Sequence, residues 1–332
     1  MKPTVIHMTD LYHTHNDPDD HWDVACEYAL HYRGDINLIG ICCDGKFKDY
    51  GDPAIDSIAQ MNYIVNDAVP VGIGGTVKIK DENVMKEILS QPVNGSVKLI
   101  LKTLENSPTP VAIHVCGSCR DIAVAGRLRP DLFERNCLGI YLNAGSTEVK
   151  GRVEWNVWLD SFAYTEVFKI PCKKYWLPCL HIMPVFEESE DSSFFNMPQS
   201  EVLPYLSENV KKYFLYMFEH VRYKQYLEYM YEPLDTEKLE IYCQKDRQMY
   251  CPPGFLHCAG YGVDKDGNLI ERDDENSVFR FVPVKVDIEK ESGMLNGYEL
   301  CEKSDIYMIS HKKDIYGPAM VRAMKNLLTV LP

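Results

Sequence analysis

Over its first 145 residues the chain alternates short apolar runs with amphipathic ones, and this alternation restricts the fold more than any other feature. "TVIHMTD", "INLIGICC", "VPVGIGG", "PVAIHVCG" and "CLGIYLNAG" read as strands. The segments between them read as helices. "DHWDVACEYALHYR" sets Trp22, Val24, Ala25, Tyr28, Ala29 and Tyr32 close to helical spacing, and "PAIDSIAQMNYIVND" carries Pro53 near its start. Apolar strands separated by helices make βαβ units. The expected class is therefore α/β: an open, mostly parallel sheet with helices on both faces. Such sheets bind ligands beyond the carboxyl ends of their strands. The polar strand ends here are Asp10, Cys43-Asp44, Gly74-Gly75, Cys116-Gly117 and Asn143, and the topology gathers them on one rim.

The first of those ends is densely charged. Met8 to Leu30 holds five aspartates and three histidines, with Asp17, Asp19 and Asp20 inside four residues. Asp19 and Asp20 open the first expected helix, where carboxylates accept unpaired N–H groups and favour the helix dipole. Capping uses one or two acids and leaves Asp10 and Asp17 unexplained. Carboxylates converging on one point repel each other unless a cation offsets them. Hard oxygen donors without paired thiolates select Ca²⁺ or Mg²⁺. His13, His15 and His21 in the same stretch open an alternative, a softer site for Zn²⁺ or Mn²⁺. Solvated surface acids are the plainer reading of the same residues.

Composition excludes more than it selects. A formal net charge of −14 over 332 residues argues against a nucleic-acid partner, which needs clustered Lys and Arg, and against an anionic membrane surface. No apolar run reaches the roughly 18 residues of a membrane span. "MKPTVIHMTD" has no apolar signal core, so a cytoplasmic location with reduced thiols is expected for the 12 cysteines. "CGSC" at 116–119 has C-x-x-C spacing but no second pair at zinc-finger distance, and is expected to be a buried turn. His114, inside an apolar strand, is expected to be a satisfied core histidine.

A strand ending in Asp, an Asp pair opening a helix and a second strand of the type "INLIGICC" resemble the nucleoside hydrolase family, whose opening motif is D-x-D-P-G-x-D-D. Later pieces resemble it in order. "VPVGIGG" is similar to its third strand. "PVAIHVCGSCRDIAVAGRLRPDLFERNCLGIYLNAG" is similar to its strand, T-G-P-L-T-N-I-A helix, R-x-x-P segment and G-G-A strand end. "VEWNVWLD" at 153–160 resembles A-E-F-N-x-x-x-D, and "FVPVKVDIEKESGMLNGYELCE" resembles the late V-D-V-E…L-T-x-G strand pair. The resemblance implies a single domain over 1–332, with about 185–260 forming a helical and loop insertion that covers the site. It implies Ca²⁺ at the rim and hydrolysis of the N-glycosidic bond of a ribonucleoside or related ribosyl compound. It assigns Asp10 as general base and metal ligand, and Asp20 with its neighbour Asp19 as further ligands. Cys116 would offer its backbone carbonyl to the metal, its thiol playing no part. Glu154 and Asn156 would hold ribose hydroxyls, and His257 would stand near the leaving base. The family also implies a homo-oligomer, dimer or tetramer.

The match breaks at the rim. "LYHTHNDP" separates Asp10 from Asp19, a longer turn than the family motif has, and "HNDPDD" is similar to a sister group opening G-G-D-P-D-D. His15, Asn16 or Asp17 could therefore take the first role. Cys258 stands where the late His of the family is followed by a metal-binding Asp. "CCDGKF" replaces T-V-A-G-N, which makes Asp44 the candidate for a ribose contact, beside Asn143 at a nearby strand end. The G-N expected before A-E-F-N is absent from "GSTEVKGRVEWN". Trp155 and Trp158 could stack on a base or pack in the core. Two alternatives follow: a pocket that binds a sugar or nucleoside without cutting it, and a hydrolase with a different metal and substrate.

Overall fold

Each apolar run of the N-terminal half becomes a strand in the computed structural model, which describes residues 2–13, 19–46, 51–219 and 225–332. The strands β1 (Thr4–Thr9), β2 (Asn37–Cys43), β3 (Val71–Ile73), β4 (Val111–Cys116), β5 (Cys137–Asn143) and β6 (Lys174–Leu177) run parallel. Three strands from the less regular second half complete the sheet: β7 (Phe279–Ile288), β8 (Leu295–Leu300) and β9 (Ile306–His311). The nine strands lie in the order β8-β7-β9-β6-β5-β4-β1-β2-β3. β9 is parallel to β6, whereas β7 and β8 are antiparallel and close one edge. The sheet is thus open and mostly parallel, as the alternation predicts.

Nine of the helices among the described residues contribute to the cores on the two faces of the sheet: α1 (Asp19–Arg33), α2 (Ile55–Val65), α3 (Gly95–Asn106), α4 (Arg120–Leu128), α5 (Trp155–Leu159), α6 (Ser161–Val167), α7 (Glu208–Phe218), α8 (Pro252–Cys258) and α9 (Tyr316–Leu328). Side chains alternate across a strand, so each strand feeds two cores. Val5, Ala112 and Tyr141 join the core built with α1, α2, α7, α8 and α9. Ile6, Met8, Ile113 and Val115 join the one built with α3, α4, α5 and α6. His7 and His114 therefore point toward α1 and α8, into a layer that also receives Asp23 and Glu27 of α1. Level with them the register runs on through Tyr141, Tyr175 and Tyr307.

The stretch expected to insert at about 185–260 holds a two-stranded antiparallel ribbon of Phe195–Pro198 with Asp246–Met249, followed by α8. It also holds α7, capped by the Ser207 hydroxyl at Val210 N. α7 lies across the starts of α1 and α2. Trp22 stacks on Phe214 at 3.9 Å, Tyr213 donates to the His21 carbonyl at 3.1 Å, and Tyr216 donates to Asp56 at 2.7 Å. Among the described residues no helix is long and apolar enough to cross a membrane.

Candidate active site at the strand-end rim

Backbone geometry pulls the strand ends together. The carbonyl of Thr9, the last residue of β1, accepts from Asp44 N at 2.9 Å, and Gly74 N donates to the Cys43 carbonyl at 2.8 Å. Gly117 follows β4 so closely that a Cβ there would stand 2.4 Å from Asp10 N, which only a glycine avoids. The Thr9 hydroxyl accepts from Leu11 N at 3.1 Å and donates to Asp20 Oδ1 at 2.5 Å, tying the start of α1 to the end of β1. Asp10, Asp20, Asp44 and the Cys116-Gly117 turn thus share one rim.

The carboxylates there press on one another. Burial raises the pKa of Asp20 well above the ordinary carboxylate range, and Asp10, Asp19 and Asp23 add to the rise, against the Thr9 hydroxyl. Asp44 is pushed up to about 7 by burial, with Arg120 opposing and Asp10 adding. Its oxygens accept from Ser118 N at 3.1 Å, Ser118 Oγ at 2.8 Å and Arg120 Nη2 at 3.3 Å. Asp10 Oδ2 accepts from the indole Nε1 of Trp155 at 2.9 Å.

Glu154 caps α5. Its Oε1 accepts from Asn156 N at 3.0 Å, and its Oε2 from Gly145 N at 2.8 Å and Val157 N at 3.4 Å. Burial nevertheless pushes it up to about 7, these hydrogen bonds opposing and Asp10 adding. Asn156 Nδ2 donates to the Asn143 carbonyl at 2.9 Å, and Asn143 Nδ2 donates to the Leu177 carbonyl at 3.1 Å. Asn143 Oδ1 is buried with no hydrogen-bond partner. Asp10, Asp20, Asp44, Asn143, Glu154 and Asn156 therefore come together, with Trp155 linking α5 to Asp10.

Other sequence expectations fall elsewhere. His257 is packed away from the rim: its Nδ1 meets the Tyr141 hydroxyl at 2.9 Å, and its ring lies against Phe281 at 4.4 Å and Tyr175 at 5.0 Å. Tyr141 is level with His7, three residues short of Asp10. Burial and nearby Arg272 push the His257 pKa down to about 3. The reason is helical: α8 begins at Pro252, so Cys251 is its rim-proximal residue, and His257 and Cys258 lie two turns along, roughly 10 Å further. Cys258 sits instead beside His114 and Tyr141.

The loop histidines also separate. His13 Nδ1 pairs with Asp56 Oδ2 at 2.6 Å, and His21 Nε2 lies 3.2 Å from Ser57 Oγ. His15, Asn16 and Asp17 lie outside the described residues. Cys116 and Cys119 face opposite cores, so "CGSC" does not bring its thiols together. His114 Nδ1 is hydrogen-bonded to Glu27 Oε1 in the core.

The sequence reading missed a buried polar group beneath the rim. Among the described residues two sets of donors have their ligand atoms within 4.8 Å of one another: His7, Glu27 and His114, and Asp23, Cys116 and Cys251. Asp10, Asp19 and Asp20 do not form such a set. The available signal was spacing: Asp20, Asp23 and Glu27 stand three and four residues apart and share one face of α1. The Cys116 thiol, expected to be idle, belongs to the second set.

The rim donors are hard oxygens under mutual repulsion, a chemistry that fits a hard divalent cation.

Neither a protein-family model nor a curated protein sequence matches the chain. Solved structures do. A purine-preferring ribonucleoside hydrolase from Gardnerella vaginalis superposes with a TM-score of 0.61 at 10% identity, over 98% of this chain and 99% of that one. A plant nucleoside hydrolase gives 0.59 at 13% identity, over 99% of both chains. The type III effector protein XopQ, solved with adenosine diphosphate ribose, gives 0.59 at 12% identity over 99% of this chain and 94% of that one. Likeness at such low identity speaks for architecture: the chain has the nucleoside hydrolase fold, with a divergent rim.

Proposed function

We propose that the protein is an N-ribosyl hydrolase that cleaves the N-glycosidic bond of a ribonucleoside or related ribosyl compound at this rim, with Ca²⁺ held by Asp10, Asp19, Asp20 and the Cys116 carbonyl. The observation that carries the reading is the crowding of Asp10 and Asp19 on buried Asp20 at the carboxyl end of a parallel sheet. Bound there, the cation would offset the carboxylate charge and make a coordinated water more acidic. Asp10 takes the proton of the attacking water, its orientation held by the Trp155 indole. Asp44 and the other rim carboxylates stabilise positive charge developing on the sugar ring. Glu154 and Asn156 are assigned to ribose hydroxyls together with Asn143, whose buried Oδ1 is an unspent acceptor. His257 has no part in this chemistry.

A second reading, binding without cleavage, draws on one observation. Both Glu154 oxygens are already engaged by backbone N–H groups, and one Asp10 oxygen by the indole. Incubation with a nucleoside panel and ADP-ribose in Ca²⁺, scored by release of base or ribose, separates the two. Hydrolysis is expected to be abolished by chelation and to fall roughly 10²- to 10⁴-fold in Asp10→Ala. Asp20→Asn is expected to lose the Ca²⁺-dependent rise in melting temperature. Thermal stabilisation by ribosyl ligands without product would establish the binder and overturn the hydrolase.

A further inference from the structure

Beneath the rim, four separate segments deliver metal-ligating side chains to one dry place. Asp23 comes from the fully buried stretch of α1, Cys116 from the end of β4, Cys251 from the residue before α8, and His7 from the middle of β1. Asp23 is 1% exposed, Cys116 5%, Cys251 6% and His7 0%. We infer that Asp23, Cys116 and Cys251 form a buried site for a borderline-soft divalent metal, zinc in class, with His7 beside Cys116 as the fourth donor.

The donor set argues for this metal class. Two thiols, a carboxylate and an imidazole suit tetrahedral Zn²⁺ and disfavour Ca²⁺ or Mg²⁺. The Asp23, Cys116 and Cys251 ligand atoms lie within 4.8 Å of one another. Zn–S bonds of about 2.3 Å place tetrahedral donors roughly 3.5–3.8 Å apart, so a closure of at most about 1 Å brings these three donors to bonding positions.

The hydrogen bonding argues for a ligand. Asp23 Oδ1 and both His7 nitrogens are buried with no partner at hydrogen-bonding geometry. Buried polar atoms in native folds are nearly always partnered, by protein, water or an ion. Glu27 supplies the outer layer: its Oε1 stands 3.4 Å from His7 Nδ1 and is hydrogen-bonded to His114. Carboxylates commonly orient a ligating imidazole in this way. The inference does not rest on the hydrolase reading, because the rim uses the Cys116 carbonyl and this site its thiol.

Metal analysis of the full-length protein, grown with zinc and purified without chelators, tests the site. About one zinc per chain is expected, and exchange with Co²⁺ should produce thiolate-to-cobalt charge-transfer absorption. The double variant Cys116→Ser/Cys251→Ser should lose both metal and absorption. Cys258→Ser, on the same helix, and Asp10→Ala, at the rim, should keep both. Should the double variant fail to fold, the cobalt spectrum of the unaltered chain decides, together with protection of two cysteines from alkylation when metal is bound. A chain that takes up neither zinc nor cobalt, metal retained by a folded double variant, or a Cys116–Cys251 disulfide would each overturn the inference.

Discussion

The rim and the polar group beneath it are built from the same strands and the same helix, yet they handle burial in opposite ways. At the rim, backbone N–H groups, hydroxyls, an indole and the Arg120 guanidinium surround the carboxylates. Asp44 and Glu154 are nevertheless pushed up to about 7 by burial and by Asp10. Below, burial likewise opposes ionisation of Glu27, but His114 and His7 overcome it and hold the carboxyl down to about 2. Charge is therefore marginal at the rim and locked at Glu27, whereas burial holds Asp23, also on α1, well above the ordinary carboxylate range. A ligand at the rim can tip the protonation of its residues, whereas Glu27 with its two imidazoles behaves as structure unless its partners are taken away. The sharpest way to break this contrast is Glu27→Ala. Removing one partner of a buried ion pair leaves the others uncompensated, so urea unfolding at pH 7 should lose about 3–5 kcal/mol, with Glu27→Gln recovering part of it. A loss under about 1 kcal/mol would show that the buried charges are not locked.

The two regions also differed in how far the sequence revealed them. The parallel sheet was legible because "TVIHMTD", "INLIGICC" and "PVAIHVCG" are short runs without the polar alternation of a half-exposed strand, and helix-like segments separate them, a pattern that suits strands covered on both faces. The strand-end residues were legible for the same reason: topology alone brings Asp10, Asp44 and Asn143 to one end. His257 was misplaced because a loose motif gives no helix start. α8 opens at Pro252, and the six residues from Cys251 to His257 move a side chain from the rim to the core. The buried group was hidden because its members lie on β1, α1, β4 and the approach to α8. His7, Asp23 and Cys116 look like isolated polar residues until the sheet register aligns them. α1 is buried from His21 to Leu30, so its helical spacing marks Trp22 and Tyr28 but does not set Asp23 and Glu27 apart as polar residues inside the fold.

A smaller effect sharpens the electrostatic side of the contrast. Glu154 titrates near 7 in the folded chain and ordinarily near 4.5. Between those values the unfolded chain has lost its proton while the folded chain keeps it. Stability should therefore fall as pH rises through that window and level off above it. The share due to Glu154 is roughly 3 kcal/mol. Asp44, at about 7, and Asp160, held up to about 6 by burial, act in the same direction. Unfolding free energies measured in EDTA from pH 4.5 to 7.5 should thus decline more shallowly in Glu154→Gln than in the unaltered chain. Parallel curves would mean that Glu154 ionises normally and that the rim is as settled as the layer below.

The smallest expected effect bears on the indole. Trp155 reaches Asp10 through one hydrogen bond, and its ring stacks on half-exposed Trp158 at 5.1 Å. Trp155→Phe keeps the aromatic surface and deletes only the donor, so the loss is that of one hydrogen bond to a charged group, about 1.5 kcal/mol. Its dependence on cation is more informative than its size. Without calcium, Asp10 would face Asp20 with less of its charge satisfied, and the full loss should appear in EDTA. With calcium, the cation would take over the role of the indole at the Asp10 carboxylate, and most of the loss should vanish. Equal losses under both conditions would reduce Trp155 to packing. They would also leave the rim carboxylates held by protein donors alone, as Glu27 is held by imidazoles.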